Sequence, residues 1–336
     1  MFERSPNARM RRLVVGFASI VAISALALTG CSSTGGGGTK KSAKDYKIVM
    51  IPGVSGNEGY DSVVCGAKQI AAENHVKLTV QAANTFDPAA QTPILQAAIA
   101  THPDAILIAP TDATAMIAPI QQALAAGIKV ILFDANLTAP SGTSAWVGVD
   151  NAAGGALGAK TMGALLNGKG KVMTVNFPKG TSTTDQRQSG FEDGLKAFPG
   201  ITDLGPQYNS DTTVAASQVS AVLTAHPDLA GVYATREDEG EGVVTGLRNS
   251  NALGRVKIVS FDASPPEVEA VKAGNIQALI AQDVNAEGTT AMHVALDVLA
   301  GKKVKQNYTV GFFAITTANV DTAAAKAHYY TASCKY

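Results

Sequence analysis

The chain is 336 residues long, 46% hydrophobic and 16% charged, with 27 basic residues against 27 acidic ones. That is a globular composition with length enough for two domains and sizeable cores, which excludes a disordered or fibrous chain. Residues 1–30 hold four arginines and one glutamate, leaving 23 basic and 26 acidic residues, a field that attracts neither nucleic acid nor an anionic membrane surface.

The N-terminus reads as a targeting segment. Arg4, Arg9, Arg11 and Arg12 precede an apolar stretch over 13–28 that is too short and weakly flanked for a transmembrane helix. It ends in Leu28-Thr29-Gly30-Cys31, which resembles a bacterial lipobox, so residues 1–30 are the expected signal peptide and Cys31 the lipid attachment site. An ordinary secretory signal with a chance cysteine is the alternative. Residues 31–44, with four consecutive glycines from Gly35 to Gly38, then form a flexible tether. With Cys31 assigned to lipid, Cys65 and Cys334 remain in an export compartment that permits disulfides. They are either bridged, tying the tail to the first helix, or a buried thiol and a free one.

Apolar runs at 46–51, 76–82, 105–109 and 128–133 predict strands, and helical spacing fills 60–73, 88–100 and 114–126. Asp87 is the N-cap of the second helix, with Pro88 in its first turn. A connection through 146–149 leads to a second half of the same plan. Its predicted helices are 152–166, 184–197, 212–224 and 238–249, and its strands 171–175, 203–208, 231–234, 256–261 and 277–281. A helix at 286–299 and one strand at 308–315 close the body before a polar tail.

Strict β/α alternation implies an α/β protein with doubly wound parallel sheets. Two landmarks recur at nearly one offset: Phe133-Asp134-Ala135 returns as Phe261-Asp262-Ala263, and His102-Pro103-Asp104 as His226-Pro227-Asp228. The halves are therefore two similar doubly wound lobes joined by a multi-segment hinge. Ligands of such sheets bind beyond the carboxyl ends of the strands, which puts Asp134 and Asp262 on opposite walls of a cleft. Other polar residues follow strand ends: Asn57 and Tyr60, Asn136, Asn176 with Thr181 and Asp185, Arg236, and Gln282 with Asp283. Amides, carboxylates and a guanidinium converging without a nucleophile suit a polyhydroxylated ligand.

Signatures of chemistry are missing. No G-x-S-x-G, H-E-x-x-H or paired C-x-x-C occurs, and the five histidines lack ligand spacing. The expectation is a binding protein without enzymatic activity, cofactor or metal.

At these residues the chain resembles the type I periplasmic binding proteins of sugar ABC importers, in the ribose-binding branch. The resemblance runs from about residue 46 to 318 and rests on Ala109-Pro-Thr-Asp112, residues 130–134, Gly148-Val-Asp-Asn151, Gly180-Thr-Ser182, Arg187 with Gly190-Phe191, Phe261-Asp262 and Ile280-Ala-Gln282. It implies that Asp134, Asp262 and Gln282 meet sugar hydroxyls and that Arg187 is mainly structural. Asn57-Glu58-Gly59-Tyr60 stands where the family has N-P-F-F, so one stacking ring is lost. Ala135 and Asp185 replace arginines, Arg236 replaces an asparagine, and Ser210 a phenylalanine. Asp185 and Arg236 are candidates to pair with each other, which would shrink the pocket.

These departures argue for a small monosaccharide or sugar alcohol rather than ribose itself. The implied mechanism is hinge closure on the ligand and delivery to an ABC permease by a lipid-anchored, extracytoplasmic monomer. A signalling binder of an autoinducer-like furanose or a nucleoside has the same fold and is the alternative. A lac-repressor-type regulator needs an N-terminal helix-turn-helix, which residues 1–45 do not offer. A hydrolase would have to draw its acids from Asp134, Asp185 and Asp262. The expected partition is 45–147 plus 283–310 in the N-terminal lobe and 148–282 plus 311–336 in the C-terminal lobe.

Overall fold

The computed structural model describes residues 42–336 apart from Ser141, Ser210, Ala332, Lys335 and Tyr336. The expected signal segment, Cys31 and most of the tether lie outside the described residues, as does Ser210.

The first half runs β1 (Lys47–Ile51), α1 (Glu58–Glu73), β2 (Lys77–Val80), α2 (Pro88–Ala100), β3 (Ala105–Ile108), α3 (Ile117–Ala125), β4 (Lys129–Phe133) and β5 (Ala145–Val149). The second runs α4 (Asn151–Leu165), β6 (Lys169–Asn176), α5 (Ser182–Leu195), β7 (Gly200–Tyr208), α6 (Thr212–Ala225), β8 (Leu229–Ala234), α7 (Glu237–Asn249), β9 (Lys257–Phe261), α8 (Pro265–Lys272) and β10 (Ala278–Gln282). Then come α9 (Val284–Leu299), β11 (Asn307–Val310), β12 (Phe312–Thr316) and α10 (Ala323–Lys326).

The strands form two six-stranded sheets, ordered β2-β1-β3-β4-β5-β11 and β7-β6-β8-β9-β10-β12. The two orders are the same topology, with β4 and β9 as counterparts, which is the structural content of the Phe-Asp repeat. The first sheet is parallel throughout, whereas β12 runs antiparallel to β10 at the edge of the second. Each sheet is covered on both faces, so its strands read as continuous apolar runs rather than alternating ones. In β3, Ala105 and Leu107 enter one core cluster and Ile106 and Ile108 the other. In β9, Ile258 faces one cluster while Val259 and Phe261 face the other.

Three predicted features change. Residues 146–149 are not a plain connection but most of β5, and Gly148 and Val149, expected in the C-terminal lobe, pair with Thr309 and Val310 in the first sheet. The single strand at 308–315 is two strands in different sheets, separated at Gly311. α8 is absent from the predicted helices, although Ser264-Pro-Pro-Glu267 forms a capping box at its start.

The chain crosses between lobes after β5, after β10 and at Gly311, so α4 packs on α5 and α9 packs back on α1. The tail makes a fourth crossing. α10 lies on the second lobe, where Ala325 is buried in the core, but Tyr330 packs into the first lobe's core and Cys334 is disulfide-bonded to Cys65 on α1. The end of the tail thus joins the first lobe and not the C-terminal lobe to which it was assigned.

Two glycines let the cleft-side helices approach. A Cβ on Gly288 would sit 1.8 Å from the Val63 carbonyl oxygen, and one on Gly190 would sit 2.0 Å from that of Ala152. Both obstacles are backbone, which no rotamer change relieves. Gly288→Ala and Gly190→Ala are each expected to lower stability by roughly 1–3 kcal/mol or more in urea denaturation. A loss below about 0.5 kcal/mol in either, the range of neutral surface changes, would mean the helix pairs are not in contact.

Candidate functional site

The carboxyl ends of the two sheets face each other across a cleft. Asp134 follows β4 and Asp262 follows β9, and both have left-handed backbone conformations, φ 54° and 83°. For a residue with a side chain this costs on the order of 1–3 kcal/mol and points to a functional position. Each is held by the neighbouring strand: the Asp134 amide donates to the Val147 carbonyl (2.9 Å) and the Asp262 amide to that of Ile280 (3.0 Å). The twin geometry aims both carboxyls into one cavity. Its volume is about 70 Å³.

On the first wall, Asn57 caps α1 by accepting from the Tyr60 amide, and the Tyr60 hydroxyl donates to Asp134 (2.7 Å). On the second wall, Arg187 is buried, 3% exposed, with its guanidinium 3.8 Å from the Phe261 ring centre. It donates to Asn151 (2.8 Å), to the Thr235 carbonyl (3.0 Å) and to Asp262 (3.5 Å). Asp262 also accepts from Gln282 (2.6 Å) and Tyr330 (2.5 Å). Arg236 donates to Glu239 (2.8 Å) and to Asp238, and lies over the Phe177 ring at 4.2 Å.

Asn57, Tyr60, Asp134, Arg187, Arg236, Asp262 and Gln282 all line this cavity, as does Thr181. Four predicted residues do not. Asp185 accepts the Gly180 amide (3.0 Å), holding its own loop, and it does not meet Arg236. Asn176 is buried behind the wall, where it accepts from Thr235 and the Phe177 amide. Asn136 accepts the Leu137 amide and lines a separate hollow beside Trp146, whose indole donates to the Asp134 carbonyl (3.1 Å). Asp283 caps α9.

Among the lining residues that were not anticipated are Phe86, Glu237, Glu287 and Tyr330. Glu237 adjoins Arg236 at a strand end, and Glu287 sits one turn into the helix that Asp283 caps, so both carried a positional signal. Phe86 packs edge-to-face on Phe177 with centroids 5.4 Å apart, restoring the flat apolar surface that the lost stacking ring seemed to remove. Tyr330 had no signal beyond the nearby Cys334.

The lobes are closed on each other. Asn57 donates to Glu237 (2.5 Å), the Asn136 amide to Ser182 (2.8 Å) and the Ala113 amide to the Gly180 carbonyl (2.9 Å). Four carboxyl groups and two guanidiniums share the cavity walls. Burial pushes the Asp262 carboxyl up, but Arg187 and hydrogen bonds from Glu237, Tyr330 and Gln282 bring it below its ordinary value. Burial, reinforced by Asp262, raises Glu237 well above the usual carboxylate range. Glu287 is raised likewise by burial and by Asp134. The cavity walls therefore hold acids pulled in opposite directions, Asp262 toward its ionised form and Glu237 and Glu287 toward their protonated forms. Among the described residues, Gln282 Oε1 and Glu287 Oε1 are buried without a hydrogen-bond partner.

The comparisons with known proteins agree with this geometry. Residues 48–303 match the model of the periplasmic binding protein domain. The chain belongs to the periplasmic binding protein family. Among family members, it is 28% identical over 268 residues to the ribose import binding protein of Salmonella typhimurium, covering 80% of this chain and 89% of that one. It is 28% identical to the xylitol-binding protein of Mycolicibacterium smegmatis, over 89% of this chain and 84% of the relative. A solved ABC transporter solute-binding protein from Agrobacterium vitis, bound to α-D-tagatopyranose, superposes with a TM-score of 0.83 at 35% identity. That alignment spans 85% of this chain and 99% of the other. The family assignment, the two-lobed α/β fold and a relationship to sugar-binding transport proteins rather than enzymes follow.

Glu239, fully buried beside Arg236, offers a test of the electrostatics. Burial outweighs the Arg236 attraction and lifts its carboxyl from 4.5 to about 7. An acid raised in the fold stabilises below its unfolded value, and that contribution is lost as pH climbs through the folded one. Unfolding free energy in urea should thus fall between pH 4.5 and about 7 on this group's account, by up to about 1.4 kcal/mol per pH unit. Glu239→Gln should flatten that stretch; an unchanged slope would show that Glu239 is already ionised in the folded protein.

Proposed function

We propose that this chain is the extracytoplasmic substrate-binding subunit of an ABC importer, taking a small neutral polyhydroxylated ligand, a monosaccharide or sugar alcohol, between its lobes. The observation that carries this reading is the convergence of Asp134 and Asp262, one from each lobe, on a single cavity that also holds unpartnered oxygens of Gln282 and Glu287. Hydroxyl groups donate and accept, so they match a wall of mixed carboxylate, carboxylic acid, amide and guanidinium. A fixed cation or anion on the ligand would meet a like charge on one wall.

Binding drives closure because the ligand touches both lobes only when they are shut, which shifts an open–closed equilibrium. The closed form then docks on a membrane permease and releases the ligand unchanged. We infer that Cys31 carries the lipid that keeps the protein at the membrane and that the protein acts as a monomer.

The test is calorimetry of the purified protein against D-ribose, D-tagatose, xylitol, a nucleoside and an amino acid. One sugar or polyol should bind, and Asp134→Ala and Asp262→Ala should each weaken it by at least about tenfold, the size of a lost charged hydrogen bond. Binding of the nucleoside or amino acid alone would overturn the ligand class, and full affinity in Asp134→Ala would remove Asp134 from the site. In cells, Cys31→Ala should move the protein from the membrane fraction to the soluble one; unchanged fractionation would rule out the lipid anchor.

A further inference from the structure

The C-terminal tail contributes a side chain to the cleft. After α10, with Ala325 in the second lobe's core and His328 stacked on Phe313, the Tyr330 amide donates to the Ala263 carbonyl (3.1 Å). One residue later the chain is bound to the other lobe: the Thr331 amide donates to Ser62 on α1 (2.7 Å). Cys334 then closes a disulfide to Cys65, 269 residues away on the same helix. His328, Tyr330, Thr331 and Cys334 thus strap the lobes together, with Tyr330 between the two anchors.

Tyr330 is 5% exposed, with its ring against Gly59, where an added Cβ would lie 3.1 Å from its Cε2. Its hydroxyl reaches Asp262 Oδ1, which also accepts from Gln282 Nε2, while Oδ2 faces Arg187. Oδ1 therefore already accepts two hydrogen bonds, as many as its lone pairs allow. A ligand hydroxyl in the cavity can engage this oxygen only by sharing with Tyr330 or displacing it. The Tyr330 hydroxyl oxygen and the free Gln282 Oε1, beside that carboxylate, are therefore available to meet the ligand.

We propose that Tyr330 is a ligand-contacting residue of the cleft and that the Cys65–Cys334 disulfide positions it, so that the C-terminal strap sets ligand affinity. The proposal rests on the reading of this cavity as the ligand site. Without the disulfide, the tail loses its covalent tie to the first lobe and is held there by the Thr331–Ser62 hydrogen bonds and the packing of Tyr330, so Tyr330 leaves Asp262 more readily as the terminus frays.

The experiment is a cycle of wild type, Tyr330→Phe, Cys334→Ser and the double variant, with D-ribose, D-tagatose and xylitol as calorimetric probes. Cys334→Ser leaves Cys65 as a buried thiol, a residue that interiors accept. Tyr330→Phe should weaken the bound probe by at least about tenfold. Cys334→Ser should weaken it several-fold in the wild-type background and not at all in the Tyr330→Phe background. Loss of the disulfide should lower Tm in both backgrounds, so a purely structural role is separated by its failure to spare the Tyr330→Phe affinity. Affinity within twofold of wild type in Tyr330→Phe, or an equal effect of Cys334→Ser in both backgrounds, would overturn the proposal. If no probe binds, the sugar reading fails separately, and hydrogen exchange decides the strap. Protection of the Tyr330 and Thr331 amides should vanish in Cys334→Ser; its persistence would show that the disulfide does not position Tyr330.

Discussion

The buried pair of Arg187 and Asp262 is the constraint on which the site depends. An ionised group taken out of water is tolerated only when it is paired and its remaining hydrogen-bonding capacity is filled. Arg187 meets this with Asn151, the Thr235 carbonyl, Asp262 and the face of Phe261. Asn151 opens α4 just past the first crossing, Thr235 ends β8, and Phe261 ends β9. One guanidinium thus fixes the ends of three elements of the second lobe. The left-handed backbone at Asp262 is held in place by that set.

The other wall is less tightly tied. Asp134 has the same backbone conformation and accepts from the Tyr60 hydroxyl. Its carboxyl is raised by burial despite Arg187 and Tyr60, whereas Arg187 and its hydrogen bonds hold that of Asp262 low. Two equivalent positions in a repeated topology are therefore shifted in opposite directions, because the buried arginine lies in the lobe of Asp262 and binds it directly. Glu237 and Glu287 extend the same logic: burial and acidic neighbours both favour their protonated forms. A cleft built from acids in unequal states offers both donors and acceptors without a large net field.

Glycine and aromatic residues frame these charges. The pairs α1 with α9 and α4 with α5 meet at Gly288 and Gly190, bringing the starts of four helices to the rim of the cleft. Phe86 from one lobe and Phe177 from the other close its outer edge, with Arg236 stacked behind. Arg236 is neutralised by Asp238 and Glu239 within its own helix start, so it acts more as a lid on Phe177 than as a free cation. The loss of an aromatic in the Asn57–Tyr60 segment is thus balanced by rings that no local pattern ties to it.

Much of this was legible in the chain alone. Short apolar runs alternating with helical spacing determined two doubly wound lobes, since that periodicity follows from which faces of each element are buried. The Phe133-Asp134 and Phe261-Asp262 repeat determined where the cleft lies, because an acid ending a buried strand has no place but the sheet edge. Pairing between distant segments was decided only by tertiary structure. Residues 308–315 look like one strand, and only the partners β5 and β10 divide them between sheets. Asp185, Asn176 and Asn136 are polar residues at strand ends like Asp134, yet their side chains turn to nearby backbone or buried groups. Tyr330 lies 68 residues beyond Asp262, and only the strap that Cys334 anchors brings its hydroxyl to that carboxylate. Periodicity is a local property of burial, while a hydrogen bond across a cleft depends on where the whole chain comes to rest.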